Sequence, residues 1–288
     1  MLQLGLIGDI QVLEPYARKA MEHPEVVITG KSSVGTQPQP GSFRLHAPEF
    51  NRIELIERSD ALLINRFSLL PFQLVCDMVK KTRHIFAISF PDLSFEECYK
   101  LAKLASEAKT VIQIINPLYY KPPVMWLNKN IIKPSFISVS YFQKNLSETD
   151  IILTLLLMLQ NALSTGPKKT SALTFRSIQT GNDFTNIHLE LNDGSVIQFN
   201  AGKTEETEEF SIKSFANNQF TVVNVMQNLL TLNNQQVDLS DYQKQNDILD
   251  FINSIIQNKK AVTSIETFAI VLQIKQAILD KLNRYLNC

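Results

Sequence analysis

The chain opens Leu2-Gln3-Leu4-Gly5-Leu6-Ile7-Gly8-Asp9-Ile10-Gln11-Val12-Leu13, and the reading of this stretch decides the fold. Residues 2–8 are a short apolar run of the kind that forms a buried parallel strand, and Glu14 to His23 continues with helical character. Strand, glycine turn and helix in this order are the frame of a dinucleotide-binding turn, written G-x-G-x-x-G. With Gly8 as the first glycine, Ile10 stands in the second place and Leu13 in the third. The second glycine lets backbone approach a pyrophosphate and the third lets helix and strand pack closely, so branched side chains obstruct both. Gly8, Ile10 and Gln11 are the positions at which a cofactor would touch this turn. Asp9 reads as the cap of the first helix, and its charge there opposes a pyrophosphate.

Downstream, the same rhythm repeats. Val26-Val27-Ile28-Thr29, Ala61-Leu62-Leu63-Ile64, Ile85-Phe86-Ala87-Ile88 and Val111-Ile112-Gln113-Ile114-Ile115 are further short apolar strands. Between them, residues 71–81 carry Phe72, Val75, Met78 and Val79 at helical spacing, and Ser94-Phe95-Glu96-Glu97 opens a helix to Ala108 with a capping-box pattern. Strands alternating with helices argue for a doubly wound parallel sheet, a Rossmann-like domain over residues 1–116. Residues 31–41, with two prolines and two glycines, read as a surface loop. No glycine lies between Gly41 and Gly166, so a second phosphate loop has no place in that interval.

The remaining chain, residues 117–288, changes character. A proline-bearing junction leads to a helix over 124–132, and 135–142 alternates as a strand. Residues 169–178, 185–191 and 195–199 read as strands, the last two joined across Asn192-Asp193-Gly194. Residues 209–215 and 219–225 form another hairpin across Asn217-Asn218. Helices at 240–258 and 264–286 close the chain, with Asp247, Asp250 and Asn253 expected on a solvated face. The fold class is thus a doubly wound parallel sheet followed by an open, mainly antiparallel sheet with helices on one face.

Composition excludes several classes. Lys plus Arg equals Asp plus Glu at 28 each, and no basic run interleaves with aromatics, so a nucleic-acid partner is not expected. The longest strongly apolar run, residues 151–159, falls far short of the roughly 20 residues of a membrane helix, and the chain lacks a charged secretory start. A cytoplasmic protein without a membrane partner is expected. Three widely spaced cysteines, Cys76, Cys98 and Cys288, suit reduced thiols, and four scattered histidines suggest no metal site.

The order of elements resembles the glucose-fructose oxidoreductase, inositol dehydrogenase and MocA (Gfo/Idh/MocA) family over nearly the whole chain. Its clearest stretches are Ser59 to Ile64, His84 to Ala108, and Asp250-Phe251-Ile252-Asn253-Ser254-Ile255 followed by the basic turn Lys259-Lys260 and Ser264-Ile265-Glu266-Thr267. The resemblance implies NAD or NADP as cofactor and hydride transfer to or from a sugar or polyol. It also implies a lysine from a Glu-Lys-Pro motif after the strand at Ile85, where this chain has Ile88-Ser89-Phe90. At the start of the helix near residues 148–163 the family carries a histidine, often with an aspartate. Here Asp150 is the surviving polar group. Where the family places a ribose-binding acid after the second strand, this chain has Lys31-Ser32-Ser33, a set that suits the extra phosphate of NADP. Tyr120 and Lys121, beside Tyr119, are further candidates for a substrate or catalytic role.

Loss of the glycines, the lysine and the histidine together points to a degenerate member with a binding, regulatory or partner role. The alternatives are an oxidoreductase using Asp150, Tyr120 and Lys121, and a module binding a small metabolite in an interdomain cleft. The family resemblance further implies a homodimer or higher oligomer formed through the open sheet.

Overall fold

The structure is a computed structural model, describing residues 1–34, 46–144, 150–176 and 183–286. Its chain folds into two compact units: Met1–Ile115 with Gln245–Ala269, and Asn116–Lys244 with Ile270–Cys288. The chain thus returns to its first unit after residue 244.

Five parallel strands build the first unit: β1 (Leu2–Gly8), β2 (Val26–Ser33), β3 (Ala61–Ile64), β4 (His84–Ala87) and β5 (Ile112–Ile114), in the spatial order β2-β1-β3-β4-β5. Between them run α1 (Ile10–Met21), α2 (Arg52–Arg58), α3 (Phe72–Lys80) and α4 (Phe95–Ala108). Every residue from Ala61 to Ile64 and from Ile85 to Ala87 is buried, as in a sheet covered on both faces. Ser94 caps α4 in the expected capping box, its hydroxyl accepting from Glu97 N–H and the Glu97 carboxylate from Ser94 N–H. Cys76 on α3 and Cys98 on α4 are buried free thiols; Cys288 lies outside the described residues.

The returning segment forms α7 (Asp247–Ile256), whose Ile248, Phe251 and Ile252 complete a core with Leu4, Leu6, Leu13, Ala17 and Phe86. This corrects one sequence expectation. Asp247 does not line a solvated face: it is 8% exposed, because α7 packs on α1 with its first turn turned inward.

In the second unit, eight strands follow the order β13-β12-β11-β10-β6-β9-β8-β7. They are β6 (Phe136–Gln143), β7 (Pro167–Arg176), β8 (Asp183–Leu191), β9 (Val196–Lys203), β10 (Glu209–Ala216), β11 (Gln219–Asn224), β12 (Leu229–Leu232) and β13 (Gln235–Gln236). All neighbours pair antiparallel except β6 and β9. Asn217 and Asn218 both adopt the left-handed conformation in the β10–β11 turn, which short polar side chains tolerate and a tight hairpin demands. The helices of this unit are α5 (Pro122–Asn130), α6 (Ile151–Met158) and the larger part of α8 (Ile265–Leu286). Buried residues Ile137, Val139, Ile197, Phe199, Ile187 and Leu189 share one face of the sheet through the register of β6, β9 and β8. No helix among the described residues is long and apolar enough to cross a membrane.

Candidate functional site

In a sheet of order β2-β1-β3-β4-β5 the chain reverses direction of travel between β1 and β3, and ligands of such folds bind beyond the carboxyl ends of the strands at that point. The residues there are Gly8 and Asp9 after β1, Asn65 and Arg66 after β3, and Ser89 and Phe90 after β4. Gly8 sits at φ +131°, a backbone that favours glycine, and a side chain there would also collide with Asn65 Cβ. Asn65 N–H donates to Ile7 O (3.0 Å), and the Ser89 hydroxyl donates to Asn65 O (2.5 Å), so the ends of β1, β3 and β4 are tied together by polar contacts.

Asp9 is the N-cap of α1: its carboxylate accepts from Gln11 N–H at 2.9 Å. That bond engages one of the first backbone donors of the helix, the groups a bound phosphate uses in a glycine-rich turn. Helix α1 starts at Ile10, four residues ahead of the sequence expectation, so Ile10 and Leu13 both lie in its first turn. Leu13 is fully buried against Leu4, Leu6 and Ala17, and Ile10 packs on the edge of the same cluster. The third glycine's role of close helix-to-strand approach is therefore replaced by a leucine that fills the interface.

Lys31 and Ser32 do not follow the second strand, as their sequence suggested. Strand β2 runs on to Ser33, pairing Lys31 with Leu6, Ser32 with Ile7 and Ser33 with Gly8. Residues 46–50 dock along the outer edge of the extended strand, with Lys31 N–H donating to Pro48 O and Phe50 N–H to Lys31 O, both at 2.9 Å. Ser32 is buried. The docking also brings an acid to the strand's end: Glu49 accepts from Ser33 N–H (2.6 Å) and from the Ser33 hydroxyl (2.8 Å). Nothing local in the sequence announces Glu49, because it reaches this place through a segment 16 residues away.

In the second unit, Asp150 is the N-cap of α6, accepting from Leu153 N–H at 3.0 Å. Its other carboxylate oxygen is ion-paired with the Lys275 ammonium of α8, both side chains being partly buried. Lys275 was not a sequence candidate, since it lies 125 residues from Asp150 on an otherwise amphipathic helix. Tyr119 is buried and meets Tyr120 edge-on, with ring centroids 5.3 Å apart, while Lys121 is exposed at the start of α5. His188 lies on the sheet face shared with Ser171 and Gln198, 3.9 Å from the Glu190 carboxylate. Among the described residues no cluster of His, Cys, Asp or Glu could hold a metal ion.

No protein-family model and no curated protein matches the sequence. Solved structures do match. UDP-N-acetylglucosamine 3-dehydrogenase GnnA from Acidithiobacillus ferrooxidans superposes with a TM-score of 0.78 at 17% identity, covering 99% of both chains. A putative myo-inositol dehydrogenase from Sinorhizobium meliloti gives 0.70 at 14% identity, covering 99% of this chain and 98% of the other. Biliverdin reductase from Synechocystis sp. PCC 6803, solved with biliverdin and NADP+, gives 0.67 at 11%, covering 98% and 99%. At such identities the likeness speaks for the fold: a Rossmann-like parallel sheet followed by a mainly antiparallel one, the architecture of the Gfo/Idh/MocA dehydrogenases.

Proposed function

We propose that this protein keeps the Gfo/Idh/MocA dehydrogenase fold without its standard NAD(P)-dependent hydride transfer, and serves as a binding, regulatory or partner protein. The observation that carries this reading is the first turn of α1. Leu13 is locked into the core, Ile10 occupies the place where backbone must meet a pyrophosphate, and the Asp9 carboxylate already holds Gln11 N–H. These residues do not fit a pyrophosphate: the near charge is negative, and a donor that should face the phosphate is engaged. The end of β4 adds to it, since Ile88-Ser89-Phe90 brings a hydroxyl that is bonded to Asn65 O where the family would bring an ammonium. Thermal unfolding with NADH or NADPH at about 1 mM tests the proposal. An unchanged midpoint is expected, whereas a rise of several degrees would mean that the native state binds nucleotide.

One observation favours a second reading, an active oxidoreductase on a sugar, polyol or related metabolite. The Asp150–Lys275 pair sets a carboxylate and an ammonium side by side at the start of α6, where the resemblance places the family's acid-base group. An ammonium beside a reacting hydroxyl stabilises alkoxide character, and a carboxylate accepts a proton. This reading requires nucleotide binding and therefore parts from the first in the same experiment.

The proposal extends to self-association. On the sheet face opposite Ile137 and Val139, Phe136, Phe215 and Phe220 stand in cross-strand register and are all at least 36% exposed. Phe142, Phe184 and Phe175 form a second apolar group on that face. Two such groups around a polar centre of Ser138, Ser140, Gln198 and Asn200 suit a second copy of the same chain, which would cover both at once.

A further inference from the structure

A cleft of about 410 Å³ opens in the first unit at the edge of the sheet opposite Gly8. It lies where β5 begins, between the end of α4, the turn after α7 and the start of α8. Ala105, Ile112 and Ile265 give it an apolar floor, and three lysines, Lys109, Lys259 and Lys260, stand around it. Glu266 is the acid among the lining residues, and it pairs with Lys260 at 2.6 Å. Lys109 and Lys259 make no ion pair among the described residues. Ser106 and Ser264 add hydroxyls, and Ile265 and Glu266 open the 22-residue α8, whose N-terminal dipole adds positive potential.

Helix ends alone account for a lysine near each C-terminus, since cations complement that end of the dipole. They do not account for the conformation of Lys109. It ends α4 in the left-handed region at φ 55°, a position glycine occupies at lower cost. Two ammonium groups without carboxylate partners match a dianion, and the apolar floor matches a compact carbon body rather than a bare ion.

We propose that this cleft binds a phosphate monoester carrying a small apolar group, at a site separate from the Gly8 turn. The proposal is independent of whether the turn binds nucleotide. Phenyl phosphate is the probe, titrated by calorimetry into the full chain and into Lys109→Gly and Lys259→Ala. Lys109→Gly relieves the left-handed residue and should melt at or above the parent temperature, so its effect on binding cannot be ascribed to unfolding. Saturable binding of phenyl phosphate with a dissociation constant near or below about 1 mM is expected, weakened about tenfold in each variant and by added salt. Inorganic phosphate should bind more weakly than phenyl phosphate. Binding that is absent at about 10 mM phenyl phosphate, or that is unchanged in both variants, would overturn the site. Equal affinity for inorganic phosphate would overturn the role given to the apolar floor.

Discussion

Asp247 shows how far a single residue can depart from its place in a helical pattern. Burial against α1 raises its carboxyl from an ordinary 3.8 to about 6, and Asp250 adds to the shift, while Ile248 N–H, donating to its Oδ1, works against it. Its backbone carbonyl meanwhile accepts from the Gln113 side chain at 2.9 Å. The folded protein therefore holds this proton to higher pH than the unfolded chain does. Its contribution favours folding at or below about pH 4 and is lost as the pH rises through about 6, the sign linkage requires when the native state binds more protons. Asp247→Asn keeps the acceptor for Ile248 and removes the buried charge, so it should stabilise the protein by on the order of 2 kcal/mol at pH 7.5. That gain should vanish near pH 4, as read by urea unfolding at the two pH values. His84 works with the opposite dependence: burial lowers its pKa, its Nδ1 accepts from Val111 N–H, and its share of stability falls as the pH drops below the ordinary value of 6.5. Neither environment was legible from composition, because a charged residue in the first turn of a helix reads as solvated. What buries Asp247 is a return of the chain from the second unit. Asp9, by contrast, was legible as a cap, since capping depends on residues two positions apart.

Among the elements, β1 and α1 frame the turn at Gly8. The hydrophobic period located all five parallel strands and helices α1, α3 and α4, since each presents its own apolar face locally. It missed the extension of β2, which pairs with the end of β1 on one side and with residues 46–50 on the other, and it missed the short α2 and the β12–β13 hairpin. The start of α1 decides what the turn can do. Leu13 is fully buried there, so restoring the glycine of a phosphate turn would remove a core side chain. Leu13→Gly should destabilise the unit by about 3–6 kcal/mol, a cavity term of about 2–5 and a helix-propensity term of about 1. A loss below about 1 kcal/mol in chemical denaturation would show that Leu13 is not part of the core.

Over the whole molecule, the class of each sheet, one parallel and one mainly antiparallel, was legible; the spatial order of the strands and the place of α7 were not, because both are set by long-range packing. Phe86 against Phe251, with ring centroids 5.5 Å apart, is the contact that draws α7 back to the first sheet. The outer face of the second sheet carries the expectation of self-association. Sedimentation at micromolar concentration should give at least a dimer, and Phe136→Glu with Phe215→Glu should shift it to a monomer of 32.7 kDa with its fold retained. A parent protein that sediments as a monomer would contradict this.

Whether the Rossmann-shaped first unit stands without a dinucleotide is read most directly by fluorescence. Trp126, the single tryptophan, serves as donor for energy transfer to a bound nicotinamide, so titration with NADH and with NADPH reads binding directly. No saturable transfer is expected with either nucleotide up to about 1 mM, weaker than roughly 4 kcal/mol of binding energy. Saturation by either one with a dissociation constant below about 0.1 mM, roughly 5.5 kcal/mol, would contradict this and show that Ile10 and Leu13 are compatible with a working nucleotide site.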